Sequence, residues 1–218
     1  MLRSIPEYGF GKIKALYGLL LFDASAILSP FLDSTLGGRT DPEALVKKEH
    51  SSMLSQEYVR HLQNCLTCDE PFFVTKMVLD EINTGRSNIS KKTKAALKHY
   101  INSPNRVSTL GREQDRLVSY FHNYEKIVSL DEDESRGYRL MREVFEPFLM
   151  EGLSKPDIDF LVTGFLLSLR NRVALISNDR DIFRSYESIL ENRLFDLTPK
   201  NIGFYKGFGG RNYFMSLN

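Results

Sequence analysis

Cysteine is nearly absent from this 218-residue chain, with only Cys65 and Cys68, in "NCLTCDE". A structural zinc site needs a second such pair, and none exists. A redox pair would sit at a strand-to-helix junction of a thioredoxin-like unit, a pattern not found around these residues. The two thiols read as neighbours on one helix in a reducing compartment. Histidine is equally sparse. His50, His61, His99 and His122 are scattered without metal-ligand spacing, and neither a Ser-His-Asp order nor a phosphate-cradling glycine loop is present. No apolar run reaches the eighteen or so residues of a membrane-spanning helix. Net charge is +1, so any nucleic-acid surface would have to be local.

What the chain does have is an ordinary globular composition, 42% hydrophobic and 26% charged, long enough for one larger domain with a substantial core. The start of the chain resembles a signal peptide, with Arg3, Lys12 and Lys14 ahead of a short apolar run and Ala24-Ser25-Ala26 as a cleavage-like site. Glu7 inside the basic segment and Asp23 at the end of the run oppose export, and the expected location is the cytoplasm. Residues 1–17 read as an N-terminal extension, 18–200 as the domain, and 201–218 as an aromatic, glycine-rich tail.

Apolar runs at 18–23 ("GLLLFD") and 173–177 ("VALIS") suggest strands buried on both faces, as in a parallel sheet. A shorter strand is expected at 72–75, followed by a helix carrying Asp80 and Glu81. Another short strand is expected at "NRVSTL". Helices are expected over "TDPEALVKK", "SQEYVRHLQNCL" and the basic "SNISKKTKAALKHYI". Residues 112–152 read as helical, broken near "DEDES" and at Pro147. Ser154 with Asp157 three residues on forms a capping-box pattern. Strands alternating with helices argue for an α/β sheet with crossovers.

Acidic residues recur where these elements begin or end. Asp23 ends the first buried strand, and Asp179 and Asp181 follow "VALISN". Asp157 and Asp159 open a helix, and Glu81 lies early in another. Ligand sites of open parallel sheets lie at the carboxyl ends of the strands, so these clusters could meet on one edge. Two carboxylates at 4 Å repel by on the order of 4 kcal/mol at an effective dielectric of 20. A converging set therefore calls for a counter-cation, and oxygen-only ligands select Mg²⁺ or Mn²⁺.

The ordered motifs "LLLFDAS", "VTKMVLDEI", "LSKPDIDFLVTGFLL" and "VALISNDRDIF" together resemble the PIN-domain nuclease family. The resemblance spans residues 18–183 and implies a three-layer α/β/α fold with a mainly parallel sheet of about five strands. It implies a metal-dependent endoribonuclease leaving 5′-phosphate and 3′-hydroxyl ends. It casts Asp23, Glu81, Asp157 and Asp179 as catalytic metal ligands and Asp159 and Asp181 as further candidates. Ser25, Ser177 and Asn178 would support them. Compact members of the family are far shorter, so residues 86–152 stand out as a helical elaboration. Dimers are common in the family, which makes a homodimer an expectation here too.

Each acid also has a plainer reading. Asp157 serves its helix dipole and cap in any case, Asp80 is as acidic as Glu81, and Asp179 begins a turn. Asp159 and Asp181 divide between a supporting and a solvated role. Lys91, Lys92, Lys94, Lys98 and Arg106 form either a solvated face or a track for an RNA backbone, with DNA not excluded. The tail "FYKGFGGRNYF" could contact a single strand or add a strand to the sheet. Two other functions compete: an inactive PIN-like binding module, and a haloacid-dehalogenase-like phosphatase. The latter family wants a second aspartate where Ser25 stands.

Overall fold

The computed structural model describes residues 4–6, 10–27, 72–84, 118–119, 121–192, 201–206 and 213–216. Among the described residues six strands, numbered in chain order, form one sheet in the order β1-β6-β5-β4-β2-β3. They are β1 (Ser4–Pro6), β2 (Leu19–Phe22), β3 (Phe72–Phe73), β4 (Val173–Ile176), β5 (Ile202–Lys206) and β6 (Tyr213–Ser216). The four neighbours β3, β2, β4 and β5 are parallel, and β6 and β1 continue the sheet antiparallel. The architecture is α/β, and the continuous apolar runs occupy its centre. Leu20, Leu21 and Phe22 are buried, as is every residue of β4.

Three expectations are corrected. The first strand of the chain is Ser4–Pro6, so residues 1–17 are not merely an extension. Ile13 and Tyr17, within and just after α1 (Phe10–Leu16), also belong to the core. The segment after residue 200 takes the second of its two readings and belongs to the sheet rather than outside the domain, supplying two strands, with Phe204 and Tyr205 buried beside β4. Residues 112–152 are not helical throughout. Ile127 forms a parallel bridge with Val74, extending the line of β3 by one residue, and the acidic "DEDES" starts a helix instead of breaking one.

The helices begin where side chains can receive their free amides. Thr75 Oγ1 accepts from Val78 N at 3.3 Å at the head of α2 (Lys76–Thr84). Asp131 and Glu134 form a capping box on α3 (Glu132–Phe145), and Pro147 lies in the following 3₁₀ turn, Glu146–Phe148. The expected Ser154–Asp157 capping box opens α4 (Lys155–Ser168). Asp179 caps α5 (Arg180–Glu191).

Helix α4 is apolar nearly all round because it packs on the sheet and against α2, α3 and α5. Gly164 makes this possible: a Cβ there would overlap the side chain of Leu175 on β4. A chain of ring contacts, Phe145–Phe165–Tyr186–Phe204, joins α3, α4, α5 and β5, with centroids 4.9, 5.7 and 5.1 Å apart. Among the described residues no helix is long and apolar enough to cross a membrane. The expected helices at 40–48, 55–66 and 87–101, the "NRVSTL" strand, Cys65 and Cys68 lie outside the described residues.

Candidate metal centre

From β2 the chain moves outward to β3, whereas from β4 it moves the other way to β5. The carboxyl ends of β2 and β4 therefore flank the topological switch point, where an open α/β sheet forms its crevice. Asp23 stands there, its backbone amide donating to Ile176 O at 3.0 Å. Its side chain is only 2% exposed. Ser177 Oγ donates to Asp23 Oδ2 at 2.9 Å, and both the amide and the hydroxyl of Ser25 donate to the same oxygen at 3.1 and 2.5 Å.

Two further carboxylates arrive on helices. One oxygen each from Asp23, Glu81 and Asp157 lie within 4.8 Å of one another. Asp157 is turned inward by its own cap, with Oδ2 accepting from Ser154 N at 2.9 Å. Glu81 shares a stripe of α2 with buried Val78 and Ile82, while Asp80 lies on the opposite side, exposed and paired with Lys76 at 3.9 Å. That choice between neighbouring acids was available in the phase of Val78, Leu79 and Ile82, the one signal the motif reading left unused.

The electrostatics match the crowding. Burial raises the Asp23 carboxyl to about 6, aided by Asp157 and opposed by the serine donors. Burial and then the charges of Asp23, Asp157 and Asp179 raise Glu81 to about 7. Asp157 is raised too, chiefly by burial with a contribution from Asp179, against the lowering effect of its Ser154 hydrogen bonds. Asp179 thus lies close enough to act on Glu81 and Asp157, although it is not in the triad. Its Oδ1 is committed to the amides of Asp181 and Ile182, at 2.6 and 3.1 Å.

The remaining candidates separate. Asp159 is not in the triad; it acts instead on the Tyr138 phenol of α3. Burial, the charge of Asp159 and a hydrogen bond to its side chain raise the Tyr138 phenol well above its ordinary value. Asp181 is exposed and lies 3.9 Å from Arg184. Asn178 takes part through its backbone amide, which donates to Ser25 Oγ at 3.0 Å. His122 is exposed on a helix end. Lys91, Lys92, Lys94, Lys98 and Arg106 lie outside the described residues.

The triad fits a hard divalent cation. Its donors are all carboxylate oxygens, and the central one is buried where ionisation without a counter-charge is disfavoured. No protein-family model, curated protein or solved structure matches the chain.

Proposed function

We propose that this protein is a metal-dependent endoribonuclease of the PIN type, with a three-layer arrangement about its sheet. Asp23, Glu81 and Asp157 would hold Mg²⁺ or Mn²⁺, with Asp179 beside them. One observation carries the reading: carboxylates from three separate elements meet within 4.8 Å at the switch point of a parallel sheet. Bound there, a divalent ion supplies Lewis acidity toward a phosphodiester and makes an attacking water more acidic.

The chain's own residues bind, orient and tune. Asp23 is held by backbone and serine donors at the strand end, so its position is set before any ligand arrives. Glu81 brings a carboxylate from α2, which Thr75 caps at its start. Asp157 sits in the first turn of α4, anchored by Ser154. Asp179 adds negative charge at the rim, favouring cation entry. The expected products are a 5′-phosphate and a 3′-hydroxyl, and the cytoplasm is the expected location.

The deciding experiment is cleavage of labelled single-stranded and hairpin RNA with Mn²⁺, Mg²⁺ or chelator, beside Asp23→Asn. Metal-dependent cutting by the wild type that is lost in the variant supports the nuclease. Salt-sensitive RNA binding without turnover would replace it with an RNA-binding module.

A further inference from the structure

The Asp23 carboxylate is held unevenly. Three hydrogen bonds, from Ser25 N, Ser25 Oγ and Ser177 Oγ, converge on Oδ2. Each hydroxyl is itself fixed from behind. Asn178 N donates to Ser25 Oγ and Asp179 N to Ser177 Oγ, both at 3.0 Å. A hydroxyl has a single proton, so an oxygen that accepts a backbone amide can still direct that proton at the carboxylate. The two hydroxyls are 3.4 Å apart, a longer approach than either makes to Asp23. The amides that hold them belong to the turn between β4 and the cap of α5, so the end of one strand orients the acid on the next.

The geometry points to Ser25 and Ser177 as positioning residues that occupy Oδ2 of Asp23 and leave Oδ1 as the single oxygen offered to a divalent cation. This inference rests on the metal centre proposed above. An oxygen already accepting three hydrogen bonds has little lone-pair density left for a cation. Its partner oxygen, fixed in orientation, can bind with one atom only. An acid that fills one coordination position leaves the others to water and to phosphate oxygens, the ligands Mg²⁺ prefers to keep.

The test is calorimetric titration of the metal-free full chain with Mn²⁺, for wild type, Ser25→Ala, Ser177→Ala and Ser177→Thr. Folding of each is checked by circular dichroism. Ser168→Ala serves as a control, since Ser168 is a buried serine whose hydroxyl donates to Phe165 O instead. Expected are losses of about tenfold or more in Mn²⁺ affinity for each site alanine, with Ser177→Thr and Ser168→Ala near wild type. If Ser177→Ala does not fold, Ser25→Ala decides alone. Wild-type affinity in the folded site alanines would overturn the positioning role while leaving the metal centre standing. Equal losses in Ser177→Thr and Ser177→Ala would also overturn it, because shape rather than the hydroxyl would matter. A wild type that binds no Mn²⁺ would overturn the metal centre and this inference together.

Discussion

Gly164 of α4 lies so close to Leu175 of β4 that a Cβ would overlap Leu175 Cδ2 and stand 3.2 Å from its Cγ. That approach lets α4 rest on the sheet and carries Asp157, two turns earlier, to the strand ends. Gly164→Ala is expected to destabilise the fold by about 1–3 kcal/mol, because the fully buried Leu175 side chain would have to shift to admit the methyl group. Urea denaturation would show it as a lower midpoint at an unchanged slope.

Metal-free stability should depend on pH through the acidic centre. Asp23 and Glu81 are raised to about 6 and about 7, from ordinary values of 3.8 and 4.5. The folded protein therefore binds more protons than the unfolded chain between about pH 4 and pH 7, and these groups lower stability as pH rises through that window. Asp23→Asn should remove its share, about 3 kcal/mol at pH 8. The metal-free variant should melt above wild type at pH 8 and close to it at pH 4. A lower melting temperature at pH 8 would show that the carboxylate is not under strain.

Divalent cations should reverse this penalty. At a hundredfold excess over the dissociation constant, Mg²⁺ or Mn²⁺ should stabilise the wild type by about 2.7 kcal/mol. Asp157→Asn should lose most of that gain and reduce RNA cleavage by about a hundredfold or more. Scanning calorimetry with and without the ion provides the comparison. Full metal stabilisation of Asp157→Asn would remove this residue from the centre.

Neighbouring acids should behave differently. Asp80→Asn removes an exposed pairing with Lys76 and should change stability by less than about 0.5 kcal/mol. It should leave cleavage unchanged, whereas Glu81→Gln should lose it. Asp159→Asn should weaken the contact between α3 and α4 through Tyr138 and lower the melting temperature, with Mn²⁺ affinity kept within about threefold. Parallel calorimetric titrations would distinguish the two sets, and equal metal losses in Asp157→Asn and Asp159→Asn would contradict the assignment.

Much of this arrangement can be read from local pattern. The buried runs at 19–22 and 173–176, the Ser154–Asp157 cap and the acids at strand ends follow from hydrophobic period and capping chemistry, which act over a few residues. Ser4–Pro6 and Tyr213–Ser216 were not legible in the same way. A three-residue strand has no period of its own, and β1 and β6 are joined only by pairing across the length of the chain. The sequence by itself determined which residues could be strands, caps and ligands, since those preferences are local. Only the tertiary structure decided that the acids of α2 and α4 meet Asp23, that Asp159 acts on Tyr138, and that Ser177 reaches Asp23 across 154 residues. Those choices depend on the order of strands in the sheet and on which helix face meets it, and both are set by long-range packing.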